Sequence, residues 1–171
     1  MNLPIDLMAG ERDPGNHCLP QQPLLKPFFP RTGRHLNSFN TVCNPHAFEV
    51  DGVTMLGSSG QNLDDMYKFV ESESRLDLMA KMLNARHIAP TAPDTLGCYP
   101  FFERDPFILE ELPRLFFCGN QPRFETKVLG TSETSVRLIA VPSFAKTHTA
   151  VLVNLRTLDC RPCYFSLETS K

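Results

Sequence analysis

The chain has no tryptophan, so its large interior side chains have to come from elsewhere, and thirteen phenylalanines supply them. Nothing in it approaches about eighteen consecutive apolar residues, which excludes a membrane-spanning helix. Basic clusters are missing as well. Its 17 Lys and Arg are scattered among 19 Asp and Glu, the formal net charge is −2, and no strong direct grip on a nucleic-acid backbone is signalled. The start of the chain, Met1-Asn2-Leu3-Pro4-Ile5-Asp6, has no basic region followed by an apolar core, so no secretory leader is expected. The six cysteines, at 18, 43, 98, 118, 160 and 163, are then expected as reduced thiols. Cys160-Arg161-Pro162-Cys163 has no second pair with which to hold zinc, and it reads as two cysteines of a C-terminal strand. There is no Gly-x-Ser-x-Gly elbow, no recognisable Ser–His triad and no P-loop spacing.

What is present fits one domain: 171 residues, 42% of them hydrophobic, with fifteen prolines that argue for many loops. Leu3–Met8 is compatible with a buried strand, and Ala9–Cys18 follows as a turn cluster of Gly, Asp-Pro and Gly-Asn. Leu19–Pro45 carries many prolines and little period, and regular structure of any length is not expected there. Ala47–Val50 and Val53–Leu56 alternate around Asp51-Gly52, a hairpin signal. Gly57-Ser58-Ser59-Gly60 then reads as a strand-to-helix turn, since the lysine of a phosphate cradle is lacking.

Asn62 is the expected cap of a first helix with Leu63, Met66, Tyr67 and Val70 on one stripe. Ser72-Glu73-Ser74 interrupts it. Ser74 with Asp77 caps a second helix, whose buried face is Leu76, Met79, Ala80 and Leu83 and which stops near Arg86. Beyond it, Leu115–Cys118, Arg123–Leu129, Val136–Val141, Ala150–Leu155 and Cys163–Leu167 read as strands, with a frayed polar tail after Leu167.

Between helices and strands lies His87–Phe102, H-I-A-P-T-A-P-D-T-L-G-C-Y-P-F-F. Pro90, Pro93 and Pro100 forbid helix, because proline lacks an amide donor and pushes its predecessor toward extended geometry. A stiff loop ending in Tyr99, Phe101 and Phe102 either pins itself to the core by those rings or presents them to a partner.

Ala89-Pro90-Thr91-Ala92-Pro93-Asp94-Thr95-Leu96-Gly97-Cys98-Tyr99-Pro100-Phe101 closely resembles a segment of the small (B) subunits of replicative DNA polymerases, those of polymerase delta in particular. Leu19-Pro20-Gln21-Gln22-Pro23, Asp51-Gly52-Val53, Gly57–Asn62, Phe117–Asn120 and Leu152–Arg156 agree in the same order. The resemblance implies an α+β fold, the C-terminal half of a calcineurin-like phosphoesterase: a layered β-sandwich flanked by helices. Residues 1–171 would form a single partial domain, with the family's oligonucleotide-binding-fold domain and the first half of its phosphoesterase domain missing.

Such enzymes clamp phosphate between two cations, using Asp-x-His, Gly-Asp, Gly-Asn-His followed by an acid, a lone His, and Gly-His-x-His. By resemblance, Gly15-Asn16-His17 matches the third motif, with Cys18 where the acid would be. His87 falls at the lone His. Gly119-Asn120-Gln121-Pro122 stands where Gly-His-x-His should be. No Asp-x-His occurs anywhere. Asn16, His17, His87 and Asn120 are therefore remnant positions, too few to hold a dinuclear site, and neither metal nor cofactor is expected. The resemblance implies a non-catalytic nuclear subunit that grips the C-terminal domain of the polymerase delta catalytic subunit, holds the third subunit, and meets DNA only through the complex, without membrane contact. Tyr99, Phe101 and Phe102 are the candidate partner contacts. The rival readings are a residual metal-dependent phosphoesterase, and an unstable truncated product with no function of its own.

Overall fold

The computed structural model describes residues 3–31, 38–70, 74–131 and 135–166. It is an α+β structure in which two antiparallel edges flank a parallel centre. The main sheet takes β3 (His46–Val50), β4 (Val53–Ser58), β5 (Leu115–Gln121), β6 (Glu125–Leu129) and β7 (Val136–Pro142) in the order β3-β4-β5-β7-β6. β4, β5 and β7 run parallel, while β3 and β6 are antiparallel to their neighbours. The β3–β4 hairpin turns at Asp51 and Gly52, whose φ values of 50° and 78° are the two positive values that a tight hairpin turn of this hand requires.

Strand alternation gives the sheet two apolar faces. Leu56, Phe116, Cys118, Leu138 and Ala140 face the helices α1 (Gln61–Tyr67) and α2 (Arg75–Asn84), which form the crossover between β4 and β5. Met55, Leu115 and Ile139 face the other way, onto Leu158 and the hairpin of β8 (Thr149–Val153) and β9 (Cys160–Tyr164). A short helix, α3 (Phe144–Thr147), links β7 to β8. In α2, Leu76, Met79, Ala80 and Leu83 are buried as their spacing predicts, and Ser74 Oγ accepts from the Asp77 amide at 3.1 Å. Leu78 and Met82 are fully buried too, because Ile88, Ala89 and Phe107 from the following loop belong to the same cluster. Each such side chain contributes about 1.5–3 kcal/mol by leaving water.

Three expectations need correction. Leu19–Pro45 does contain a strand: β2 (Phe39–Val42) pairs in parallel with β1 (Ile5–Met8), from Ile5 opposite Phe39 to Met8 opposite Val42. Its partner lies more than thirty positions away in sequence, so no local period announces it. Asn62 does not cap α1. The cap position belongs to Gly60 at φ 106°, and Asn62 sits inside the first turn, where it accepts from Ser58 Oγ at 2.8 Å and donates to the Ile88 carbonyl at 2.6 Å. The left-handed backbone needs glycine there, and a Cβ at 60 would strike the Gly119 carbonyl of β5. β9 begins at Cys160, so its two cysteines lie three apart on one strand: Cys160 packs against the second core, and Cys163 pairs across to Ala150. The interruption at Ser72-Glu73 and the tail after Leu167 lie outside the described residues.

Candidate functional site

In open sheets with a parallel centre, ligands gather beyond the carboxyl ends of the strands. Here that end is occupied by a polar cluster built from Gln21, Asn44, Ser59 and Gln61. Gln21 and Asn44 are first fastened by their backbones, each amide donating to the other's carbonyl at 2.7 and 3.1 Å. Their side chains then close on each other. Asn44 Nδ2 donates to Gln21 Oε1 and to Ser59 Oγ, both at 2.7 Å, with Gln61 Oε1 at 3.1 Å, and Asn44 Oδ1 accepts from the Ser59 amide at 3.0 Å. Gln61 Nε2 donates to the same Gln21 oxygen at 2.9 Å, and Ser59 Oγ donates to Gln61 Oε1. Gln21 and Asn44 are each only 1% exposed, a burial tolerable because their polar atoms are paired.

Two remnant positions border this cluster. Asn16 joins it through its carbonyl, which accepts from Gln21 Nε2 at 2.9 Å. Its side chain pins the turn instead, accepting from the Gln22 amide and donating to the Cys18 carbonyl, both at 3.0 Å. Asn120, in the left-handed region at φ 57°, donates to the Ser59 carbonyl at 2.9 Å. His17 is exposed on the same loop as Asn16.

His87 belongs to a different place. It follows α2, its amide donating to the Met82 carbonyl at 3.0 Å. The Ala89 amide approaches Nδ1 at 3.3 Å, and Nε2 lies 3.0 Å from Asp105 Oδ2. Burial works against the charge of Asp105, but the His87 bond and the Phe107 amide outweigh it and hold the carboxyl below its usual range. The four positions thus divide between two regions.

Beside the cluster opens a cleft of about 440 Å³ bordered by Asp13, Asp64, Asn120 and Lys146. Two of the acids that line it, Asp13 and Asp64, are already engaged, and Glu11 beside them is exposed. Asp13 accepts from the Gly10 amide at 2.7 Å, and Asp64 is paired with Arg75, which also donates to buried Gln121 at 2.7 Å and lies 4.3 Å above the Tyr67 ring. A two-cation centre needs several carboxylate or imidazole donors converging. Among the described residues no three His, Cys, Asp or Glu side chains do so. Neutral carboxamides that satisfy one another occupy the strand ends, and this donor set does not fit a dinuclear metal. The thiol of Cys118, midway along β5, is pushed up to about 12 by burial and is no nucleophile.

Gln21, Asn44, Ser59 and Gln61 were not predicted from the residues. They carry no spacing signature, though three of them lie in the stretches Leu19–Pro23 and Gly57–Asn62 that carry the resemblance.

A family model for the B-type subunit of DNA polymerase alpha/epsilon matches residues 1–126. The chain belongs to this family of DNA polymerase subunits. Within it, the chain is 47% identical over 168 residues to the DNA polymerase delta small subunit of Arabidopsis thaliana, covering 98% of this chain and 38% of that protein. It is 44% identical over 168 residues to DNA polymerase delta subunit 2 of Drosophila melanogaster, covering 98% and 39%. Against the DNA polymerase delta small subunit of Saccharomyces cerevisiae it is 36% identical over 187 aligned positions, covering 92% and 38%. The chain therefore spans about two-fifths of the length of these polymerase delta relatives.

The aromatic loop forms the second region of interest. Tyr99, Phe101 and Phe102 are 60%, 47% and 95% exposed, so these rings are not anchors in the core. Tyr99 and Phe101 pack edge to face with centroids 5.1 Å apart. With His87 and Asp105 they border a groove of about 420 Å³.

Proposed function

We propose that this chain is a non-catalytic accessory subunit of a DNA polymerase delta complex. In this reading it acts in the nucleus, scaffolds the C-terminal domain of the catalytic subunit, holds the third subunit and meets DNA only through the assembly. The observation that carries the reading is the carboxamide cluster at the strand ends. A hydrolase would gather cation ligands there, whereas Gln21, Asn44 and Gln61 spend their polar atoms on one another. The identity to polymerase delta small subunits supports the choice of complex. Asn16, His17, His87 and Asn120 are then relics of an abandoned phosphoesterase centre, and Tyr99, Phe101 and Phe102 are partner contacts. The fold we propose is one partial domain, half of a calcineurin-like phosphoesterase. The separate β1–β2 sheet supports this as a margin of the second layer of a sandwich.

Co-purification of the chain with the C-terminal domain of a polymerase delta catalytic subunit tests the role. A stable complex is expected, and failure to recover one, while a longer small subunit is recovered, would end the scaffold reading for these residues. A phosphodiester assay in manganese tests the abandoned centre. Turnover is expected to stay at the blank level for the wild type and for His17→Ala, and activity abolished by that substitution would restore the hydrolase.

A further inference from the structure

The stretch that leads from the polar cluster toward β2 carries a spacing that neither the cluster nor the aromatic loop uses. Gln22-Pro23-Leu24-Leu25-Lys26-Pro27-Phe28-Phe29 reads Gln-x-x-Leu-x-x-Phe-Phe. A carboxamide, an aliphatic side chain and paired rings in that order form a short pattern with which polypeptides plug the apolar pocket of ring-shaped clamps that slide on DNA. Spacing alone is a weak signal, so the backbone and the exposure of these side chains have to agree with it.

Both agree. Lys26–Phe28 forms a single 3-10 turn, in which the Leu25 carbonyl accepts from the Phe28 amide and the Lys26 carbonyl from the Phe29 amide, both at 3.0 Å. Residues three apart eclipse in such a turn. Leu25, at φ −68° and ψ 131°, has polyproline geometry, which also repeats every three residues. Gln22, Leu25 and Phe28 therefore share one side of the segment, and Gln21 and Leu24 share another. The structure sorts them accordingly. Gln22 is exposed, Leu25 is 64% and Phe28 50% exposed, while Gln21 and Leu24 are buried.

The segment is also fastened on both sides of the plug. The Gln22 amide donates to Asn16 Oδ1 at 3.0 Å, and the half-buried Phe29 ring lies 5.2 Å from Phe39 of β2. A turn held in this way has less conformational freedom to lose on binding. Leu19–Arg31 carries two exposed bases, Lys26 and Arg31, and no acid, in a chain of net charge −2. Two bases are too few to grip a phosphate backbone, and Leu25 and Phe28 offer one nothing to bind. An apolar pocket with an acidic rim suits both features.

We infer that Gln22, Leu25 and Phe28 form a plug by which this chain docks into the apolar pocket of a DNA sliding clamp. Leu25 and Phe28 fill the pocket, and the Gln22 carboxamide bonds at its edge. This goes beyond the scaffold reading and does not rest on it, because the partner is a different protein.

The test titrates the 171-residue chain with a purified eukaryotic sliding clamp, followed by calorimetry and by amide spectra of the labelled chain. Saturable binding is expected, with shifts centred on residues 21–31 and affinity falling as salt rises. Leu25→Ser and Phe28→Ser are each expected to weaken it about tenfold, a typical loss for an interface anchor, and the two together to abolish it. Gln22→Ala should cost about threefold to tenfold, the worth of one hydrogen bond. Tyr164→Ser, which removes an exposed ring on β9, should leave binding unchanged. Every substituted side chain is exposed, so amide spectra should remain those of the folded chain. No saturable binding by the folded wild type, shifts centred elsewhere, or equal losses with Tyr164→Ser and Phe28→Ser would overturn the inference. The double variant is expected to co-purify with the catalytic subunit's C-terminal domain as the wild type does, and its loss of both partners at once would also overturn it. A wild type that binds the clamp but recovers no catalytic subunit would sink the scaffold reading alone.

Discussion

The polar cluster at the strand ends and the aromatic loop spend their side chains in opposite ways. At the cluster, groups that could contact a ligand are buried and turned on one another: Asn44, 1% exposed, reaches Gln21, Ser59 and Gln61. At the loop, rings that could have filled a core are left in water, with Phe102 at 95% exposure. A buried polar network stabilises only when complete, and exposed aromatic area stabilises only when something covers it. The contrast sets a strand-end cluster whose polar groups are spent on one another against a loop whose rings stay open to solvent.

The sharpest way to break that contrast is at Asn44. Truncating it to Ala orphans the buried Ser59 amide and takes one of two donors from the Gln21 oxygen, which keeps Gln61 Nε2. A loss of about 2–3 kcal/mol is expected in urea unfolding, since an orphaned buried group costs roughly 1–3 kcal/mol and the bonds lost beside it add to that. If Asn44→Ala unfolds at the wild-type midpoint, the cluster is not structural and its assignment as a closed network fails.

A second test asks whether α1 is tied to the proline loop as firmly as the cluster ties the strand ends. Asp65 is 3% exposed, accepts from Thr95 Oγ1 at 2.6 Å and pairs with Lys68 at 2.9 Å. Burial opposes its charge, but the bonds from Thr95 and Lys68 outweigh it and hold the carboxyl below its usual range. A depressed carboxyl contributes stability that is present above its unfolded pKa, near 3.9, and is lost as pH falls through the lower folded value. Asp65→Asn is expected to cost about 1–2 kcal/mol at neutral pH, and the gap from wild type should close as pH drops below about 4. A gap that stays constant with pH would mean that charge plays no part in the tie.

How much of this could be read from the residues follows the same division. The β3–β4 hairpin and the Ser74 cap were legible, because Asp51-Gly52 and Ser74-x-x-Asp77 act within a few positions. β2 and the capping role of Gly60 were not, since one depends on a partner near the start of the chain and the other on the Gly119 carbonyl arriving from β5. Asn16 and Asn120 do border one cluster, but the residues that build it, Gln21 and Asn44, stand between prolines with no period to mark them. The exposure of Tyr99, Phe101 and Phe102 was undecidable from the chain alone, because an aromatic triplet after a stiff loop suits a core and an interface equally.

The smallest expected effect sharpens the comparison most. Phe116 on β5 is fully buried against α2, and Phe116→Ala should cost about 3–5 kcal/mol. Phe102→Ser removes a ring of the same size, yet it should change stability by no more than about 0.5 kcal/mol, because that ring gains nothing from the fold as it stands. Thermal unfolding of the two variants beside the wild type separates the cases. Should Phe102→Ser lower the midpoint as Phe116→Ala does, the ring is held by the domain in solution and cannot be the uncovered anchor of a docking face. A silent Phe102→Ser that also loses binding would show a residue kept for a partner rather than for folding.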